Sequence, residues 1–158
     1  MSIGGLASIE NRKSLRQALT STRVEAVPEI ARRLLTNCRS IAVVGLSDNP
    51  ARDSQRVAAY LQAAGYEVVP VNPRVASVLG CRCWPDLAAI PSPVDLVQVF
   101  RRSDYASEVV DAAIEAGIPA VWLQDGVVDE QAAARAAGAG MDVVMDRCMM
   151  RDHALLGL

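Results

Sequence analysis

Arginines placed after predicted strands are the residues with the clearest chemical potential in this chain. The 16 basic residues comprise one lysine, Lys13, and 15 arginines. A guanidinium presents a planar fork of N–H donors that matches the oxygens of a phosphate group. Six arginines fall where predicted strands end, namely Arg52, Arg56, Arg74, Arg101, Arg102 and Arg147. Parallel strands would bring these positions to one edge of a sheet, so the pattern favours a polyphosphate ligand over an ordinary solvated surface.

The loop after the first predicted strand is the strongest single candidate for a phosphate site. It comprises residues 45–53 and runs into a helix for which Ser54 is the expected N-cap. The unpaired N–H groups and the dipole of a helix N-terminus favour an anion. We expect the hydroxyl groups of Ser47 and Ser54 to donate further hydrogen bonds to it.

Familiar nucleotide and hydrolase patterns are incomplete in the same loops. Only Gly45 of the Gly-x-Gly-x-x-Gly fingerprint is present, and Asn72 rather than an acid follows the second strand, which disfavours an NAD site. Arg74 would suit a 2′-phosphate, so an NADP-dependent oxidoreductase stays open. The lone lysine, Lys13, belongs to no P-loop, and a serine hydrolase would have only His153 as a base. No catalytic residue is predicted.

The cysteines indicate reduced thiols rather than disulfides or a metal site. The four lie at positions 38, 81, 83 and 148, and no secretion signal is visible, so we expect a cytoplasmic protein. Cys81-Arg82-Cys83 lacks the two spaced cysteine pairs that are typical of structural zinc. No metal ligand is predicted.

Composition places the chain among globular proteins with one domain. Hydrophobic residues make up 51% and charged residues 22% of the 158 positions, which excludes a disordered or collagen-like chain. The longest apolar stretch, residues 117–123, is too short to span a membrane. A net charge of −2 provides no general nucleic-acid surface. We therefore expect a small-molecule ligand and neither a membrane nor a nucleic-acid partner.

The segments that would position these loops alternate between strands and helices. Continuous apolar runs, typical of parallel strands covered on both faces, predict strands over Ile41–Gly45, Glu67–Val71, Leu96–Phe100, Ala120–Leu123 and Asp142–Met145. Helical periodicity and end signals predict helices over Val27–Leu35, Ser54–Ala64, Asp104–Ala116 and Asp129–Gly138, the last with Asp129 as N-cap. The predicted class is α/β, a doubly wound parallel five-stranded sheet with helices on both faces.

Three segments show no firm periodicity. Residues 1–23 are expected to form a flexible N-terminal arm, and residues 24–158 a single domain. Residues 73–93 hold four prolines and are expected to form a helical turn and an irregular loop. The tail that contains His153 shows no pattern.

Several blocks of residues, in order along the chain, resemble a known family. The blocks are Val43-Val44-Gly45-Leu46-Ser47 with Asn49-Pro50 and Arg52, Val71-Asn72-Pro73-Arg74, Gly80 with Trp84-Pro85-Asp86-Leu87, Val94-Asp95, Val99-Phe100-Arg101-Arg102-Ser103, Trp122-Leu123-Gln124-Asp125-Gly126-Val127 and Val143-Val144-Met145-Asp146-Arg147-Cys148. They are similar to the small stand-alone CoA-binding proteins, whose domain is similar to the CoA-binding domain of the succinyl-CoA synthetase α subunit. The resemblance covers residues 40–148 and implies a Rossmann-like domain that binds coenzyme A (CoA).

The resemblance implies that CoA or an acyl-CoA is bound without being transformed. The residues implied to form the site are Gly45, Ser47, Asn49, Arg52, Ser54, Asn72, Arg74, Arg101, Gln124, Gly126, Arg147 and Cys148. Arg52, Arg74 and Arg101 are the candidates for the phosphates. The alternatives are an NADP-dependent oxidoreductase and a nucleotide-binding subunit of an acyl-CoA synthetase that needs a partner chain. Whether the chain forms a homo-oligomer stays open.

Cys148 is the cysteine nearest to this expected site. It follows the fifth predicted strand beside Arg147, and a neighbouring cation favours the thiolate. One hypothesis is that Cys148 forms a mixed disulfide with the CoA thiol under oxidation. The simpler expectation for Arg147 is a salt bridge with Asp146 at the end of the strand.

Overall fold

The computed structural model describes residues 27–158, in which a five-stranded sheet is covered by helices on both faces. The strands of this sheet are β1 (Ser40–Val44), β2 (Glu67–Val71), β5 (Leu96–Val99), β6 (Ala120–Leu123) and β7 (Asp142–Val144). Their order is β2-β1-β5-β6-β7, and every neighbouring pair is parallel. The predicted α/β class, a Rossmann-like doubly wound parallel sheet, is confirmed.

Helices pack on both faces of the sheet, as crossover connections between parallel strands require. The helices are α1 (Glu29–Asn37), α2 (Asp53–Ala63), α3 (Ser103–Glu115), α4 (Glu130–Gly138) and α5 (Met149–Leu156). One core cluster joins α1, α2 and α5 to the sheet, for example through Leu34, Leu61 and Met149. The second cluster joins α3 and α4 to the other face through small residues such as Ala106 and Ala132. The four predicted helices lie within two residues of their expected bounds.

The central strands are buried on both faces, which explains their unbroken apolar sequence. Every residue of β1, β5 and β6 is buried. Two members are polar, Ser40 at the start of β1 and Gln98 in β5. Gln98 has no exposed surface and lies between Val43 and Trp122 in the register. A buried amide needs hydrogen-bond partners. Gln98 Nε2 donates to Gln124 Oε1 at 3.1 Å, whereas Gln98 Oε1 has no partner among residues 27–158. The core therefore contains a hydrogen-bonded pair of amides, and its second member, Gln124, directly follows β6.

The prediction of a helical turn between β2 and β5 is wrong. Residues Ser77–Val78 (β3) and Cys81–Arg82 (β4) instead form a short antiparallel pair. Leu79 and Gly80 close the turn between them with positive φ angles of 53° and 74°, and glycine adopts such an angle at little cost. The remainder of the segment is irregular, as expected.

The prediction that the C-terminal tail has no regular structure is also wrong, because Met149–Leu156 forms α5. Its inward face repeats at helical spacing through Met149, Asp152, His153 and Leu156. Two of these four positions are polar, so hydrophobicity alone hides the helical period. Gly157 ends the helix with a φ of 69°.

The expected flexible arm, residues 1–23, lies outside the described residues. The division of the chain into that arm and one domain over residues 24–158 stays a prediction. Within residues 27–158, no helix combines the length and the apolar character that a membrane crossing requires.

Candidate functional site

The strand order reverses between β1 and β5, the neighbouring central strands of the sheet. Open α/β sheets bind ligands in the crevice beyond the carboxyl ends of such strands. Here the two strand ends approach closely at Gly45, which has a φ of +86° and whose Cβ, if present, would lie 2.5 Å from the Phe100 carbonyl oxygen. Both the backbone angle and the lack of space therefore require glycine at this position.

The loop from Gly45 to α2 is held together by its own polar side chains. The N–H groups of Ser47 and Asn49 donate to Ser54 Oγ at 3.0 Å and to Ser47 Oγ at 3.1 Å, respectively. The Asn49 side chain in turn accepts from the Ala51 N–H at 3.0 Å. Internal bonds thus set the shape of the loop, while the hydroxyl hydrogens of Ser47 and Ser54 remain able to donate.

Ser54 is not the N-cap of α2, contrary to the sequence prediction. Arg52 occupies that position, and its guanidinium has no acceptor for the first-turn N–H groups. The Ser54 hydroxyl instead accepts from the Ser47 N–H in the loop. The first-turn N–H groups of α2 therefore lack a side-chain cap and can receive an anion. Asp53 in the same turn would oppose an anion, but Arg56 neutralises it through a salt bridge of 2.8 Å.

Asn72 connects the first loop with the loop after β2. Its Nδ2 donates to the Leu46 carbonyl at 3.0 Å, and its Oδ1 accepts from the Arg74 N–H at 2.9 Å. Each end of the amide makes one bond inside the protein, so Asn72 positions Arg74. The second hydrogen of Nδ2 remains able to donate. A carboxylate here would have no hydrogen to donate to Leu46.

The six edge arginines divide into two groups by their ion pairs. Carboxylate partners at 2.8, 3.4 and 2.7 Å neutralise Arg56, Arg102 and Arg147. No carboxylate within residues 27–158 forms a salt bridge with the other three, which are Arg52, Arg74 and Arg101. All three are exposed. The predicted phosphate ligands are therefore the edge arginines whose charge stays available for an anion.

The prediction of a salt bridge between Asp146 and Arg147 is wrong. Arg147 instead donates to both carboxylate oxygens of Asp152 in α5, at 2.7 and 2.8 Å. The side chains of Asp152 and Arg147 are 3% and 28% exposed, and the hydrogen bond raises the pKa of Arg147 above its ordinary value. Arg147 therefore anchors α5 to the strand ends and is no free cation for Cys148.

The loop after β6 is bound to its neighbours on both sides. The Gly126 N–H donates to Asp146 Oδ1 at 2.8 Å, and the Ser103 hydroxyl donates to the Gly126 carbonyl at 3.3 Å. Asp146 holds an uncommon φ of 58° for a residue other than glycine. The N–H of Gly126 is thus already used, and Asp146 and Ser103 act by positioning this loop.

A cavity of about 570 Å³ lies between α2 and α5 at this edge of the sheet. Its volume falls within the range of roughly 300–1,000 Å³ that is usual for small-molecule sites. Val57, Phe100 and Met150 contribute apolar surface, while Gln124 and Cys148 are the two predicted site residues that line it. The other predicted residues lie in the loops and the first turn of α2 at the same sheet edge.

Gln124 presents an unsatisfied donor at this cavity. The residue is only 4% exposed, and its Oε1 accepts from Gln98 Nε2 at 3.1 Å and from the Met149 N–H at 3.3 Å. These bonds fix the orientation of the amide. Its Nε2 has no hydrogen-bond partner among residues 27–158, so a ligand in the cavity would supply one.

Sequence reasoning missed the residues that α5 contributes to the cavity. Met150, Arg151 and Ala154 all line it, and none was predicted because the helix itself was missed. The signal that would have found them is the spacing of Met149, Asp152, His153 and Leu156 at one helix face, with polar residues counted as inward.

His153 joins α5 to α2 from inside the protein. Its side chain is 5% exposed, its Nδ1 shares a 2.9 Å hydrogen bond with the Tyr60 hydroxyl, and its ring meets Tyr60 and Tyr66 edge-on. Burial lowers the pKa of His153 below its ordinary value of 6.5. The residue is therefore a packing group rather than an accessible base.

We expect the protein to lose stability as the pH falls below about 6.5. The unfolded chain protonates His153 near the ordinary pKa of 6.5, whereas the folded protein does so only at lower pH, so added protons favour unfolding. Stability from this group is complete above the unfolded pKa and decreases below it. Urea midpoints measured from about pH 7.5 to 5.5 should fall more steeply for the wild type than for His153→Gln. Equal slopes would contradict the prediction.

The cysteines are all free thiols. Burial, with Asp95 and Asp142 nearby, raises the pKa of Cys38 to about 11, and burial also raises the pKa of Cys83. In the part of the chain that the structure describes, no group of three or more histidine, cysteine, aspartate or glutamate side chains is arranged to hold a metal ion.

The fold and this edge together define a Rossmann-like domain with its crevice at the reversal of strand order. The chain belongs to the family described as CoA binding domain, which residues 39–154 match. The resemblance inferred from the residue blocks is thereby confirmed.

Relatives of similar size match this chain over most of their length. The uncharacterized protein YneT of Bacillus subtilis (strain 168) is 40% identical over 124 residues, which cover 78% of this chain and 92% of that protein. A hypothetical protein from Pyrococcus horikoshii OT3 superposes with a TM-score of 0.79 at 39% identity, covering 82% of this chain and 92% of the other.

A much longer relative matches over a small part of its length. Acetate–CoA ligase [ADP-forming] II of Archaeoglobus fulgidus is 27% identical over 95 residues, which cover 58% of this chain and 14% of the ligase.

Proposed function

We propose that this protein binds CoA, free or acylated, at the carboxyl edge of its sheet without transforming it. The observation that carries the proposal is the combination of three arginines outside any ion pair of residues 27–158 with a cavity of about 570 Å³ at the same edge. CoA has an adenosine end with a pyrophosphate and a 3′-phosphate, and an uncharged pantetheine arm. Membership of the CoA binding domain family supports the same ligand.

The phosphates are assigned to the first loop and its arginines. The uncapped first turn of α2 offers backbone N–H groups, and Arg52, Arg74 and Arg101 offer charge-assisted hydrogen bonds of about 1.5–3 kcal/mol each before ordering costs. Three phosphate groups carry more negative charge than a helix N-terminus alone can balance. The three arginines that form no salt bridge with a carboxylate of residues 27–158 supply the remaining positive charge.

The pantetheine arm is assigned to the cavity between α2 and α5. Its methyl and methylene groups suit Val57, Phe100 and Met150, and its amide carbonyls suit the free donor of Gln124. An arm threaded here would bury apolar surface on both sides of the cavity, at roughly 25 cal/mol for each Å² removed from water.

The charged and titratable groups around the cavity support binding rather than chemistry on the ligand. His153 is hydrogen-bonded to Tyr60, Arg147 to Asp152, and Arg56 pairs with Asp53. The first two bonds join α5 to α2 and to the segment after β7, and the third lies within α2. Such pairs give the site its shape and do not poise it for proton transfer.

Replacing Arg52, Arg74 or Arg101 singly with glutamine is expected to weaken CoA binding by about 10- to 100-fold, since each change removes a charge-assisted bond to a phosphate. Isothermal calorimetry would measure the change in Kd. Arg33→Gln is the matched control, because Arg33 pairs with Asp142 at the start of β7, the opposite edge of the sheet. Unchanged affinity in all three edge variants would overturn the assignment.

Thermal shifts with several ligands distinguish this function from the alternatives. A ligand present at 100 times its Kd adds about 2.7 kcal/mol of stability, so CoA should stabilise the protein and dephospho-CoA should do so less. Stabilisation by NADP and not by CoA would indicate an oxidoreductase instead.

The second candidate function is a nucleotide-binding subunit of an acyl-CoA synthetase that works with a partner chain. The match to a 14% portion of acetate–CoA ligase [ADP-forming] II favours it. Co-purification from native cells with an ATP-using protein, together with ATP-dependent thioester formation by the pair, would replace simple binding with this role.

A further inference from the structure

We infer that Cys148 is a site of reversible covalent attachment of CoA by thiol–disulfide exchange, an inference that rests on the proposed CoA site. The co-reactant is CoA disulfide, the oxidised dimer of CoA. The Cys148 sulfur bonds to one sulfur of the dimer, the existing S–S bond breaks, and the second CoA leaves as a thiolate that takes up the proton lost by Cys148. One protein thiol is oxidised and one CoA thiol is released, so no other oxidant is needed.

The position of Cys148 is the first observation behind this inference. Cys148 is the N-cap of α5, is partly exposed, and its side chain makes no capping hydrogen bond. It lines both the 570 Å³ cavity and an adjoining cavity of about 220 Å³. A disulfide has CoA on both sides of the attacked bond, and two adjoining cavities give room on both sides of this thiol.

The free donor of Gln124 is the second, independent observation. Gln124 is 4% exposed, and its Oε1 is held by the N–H of Met149, the residue that follows Cys148. The unpartnered Nε2 of this buried side chain is thus fixed close to the start of α5. The carbonyl of the amide that joins the cysteamine unit to β-alanine lies a few bonds from the CoA sulfur, so a hydrogen bond to Gln124 would bring that sulfur to Cys148.

The other three cysteines do not share this environment. Cys38 and Cys83 are shielded by burial, which raises their pKa values, and the Cys81 sulfur contacts Gln62 Nε2 at 3.5 Å. None of the three lines either cavity. Because Asp152 already binds Arg147, selectivity for Cys148 comes from the proximity of a bound disulfide and not from a neighbouring free cation.

Incubation of the reduced, full-length protein with CoA disulfide, followed by peptide mass spectrometry, tests the inference. Cys148 is expected to gain the mass of one CoA less two hydrogen atoms, at least about 10-fold faster than it reacts with glutathione disulfide at equal concentration. Desulfo-CoA, which lacks the thiol, should slow the reaction by occupying the site. Cys148→Ser should abolish the modification, whereas Cys81→Ser, the matched control, should leave it intact.

Calorimetry of wild-type protein with reduced CoA, in the presence of a phosphine reductant, separates the two possible failures. Measurable CoA binding with an unmodified Cys148, or with equal rates for both disulfides, would overturn the inference and leave the proposed function standing. Absence of CoA binding would overturn the proposed function and the inference with it.

Discussion

Gly45→Ala is expected to lower the free energy of unfolding by about 2–5 kcal/mol. The added Cβ would lie 2.5 Å from the Phe100 carbonyl oxygen and 3.2 Å from Arg101 Cδ. The carbonyl cannot simply retreat, because the Phe100 N–H is bonded to the Val44 carbonyl at 2.9 Å. A left-handed backbone angle of +86° alone costs a residue with a Cβ about 1–2 kcal/mol, and the overlap adds the remainder.

Gly140→Ala is the matched control for this variant. Gly140 has nearly the same φ, +85°, but a Cβ there meets nothing within 4 Å. We therefore expect it to lose only the angular cost of about 1–2 kcal/mol. Urea unfolding of both variants measures the difference, and equal losses would show that the close approach at Gly45 is not energetically important.

Arg147→Met is expected to lower the free energy of unfolding by about 3–4 kcal/mol. The change leaves the Asp152 carboxylate, which is 3% exposed, without the guanidinium that compensates its charge. The loss falls at the lower end of the range for broken buried ion pairs because Arg147 itself is 28% exposed. Urea or thermal unfolding at neutral pH measures it.

Arg151→Met, a change within α5 itself, provides the comparison. Arg151 pairs with Asp125, but the two side chains are 57% and 53% exposed, and such surface pairs contribute about 0–1 kcal/mol. If both methionine variants lose the same amount, the buried pair is not the anchor of α5. Recovery of stability in the double variant Arg147→Met with Asp152→Leu would show that the uncompensated charge causes the loss.

These two predictions concern the opposite boundaries of one site. Gly45 sets how closely the first loop approaches β5, and the pair of Arg147 with Asp152 holds α5 over the strand ends. The cavity lies between α2, which follows the first loop, and α5, which the ion pair holds. Variants at either boundary should therefore also weaken CoA binding, whereas Gly140→Ala should not.

Local patterns were sufficient for most of the framework. Continuous apolar runs identified all five strands of the parallel sheet, and Asp129 caps α4 as its residue type and position predicted, accepting from the Ala132 N–H at 2.9 Å. The first loop was also placed correctly beside a helix N-terminus, although the cap is Arg52 and not Ser54. That error arose because the Ser54 hydroxyl had two possible partners, and only the folded loop decides between them.

Residue patterns were enough to predict the five strands of the sheet, four of its helices, the sheet edge at which arginines gather, and the family. Each of these depends on short-range periodicity, on side-chain type, or on several residue blocks taken in order. Which polar residues face inward depends instead on contacts between distant parts of the chain. His153 is buried because Tyr60, 93 positions away, satisfies its ring, and Gln124 is oriented by Gln98, 26 positions away. A polar side chain can enter a core only where a distant partner offsets its lost hydration, and no local pattern carries that information.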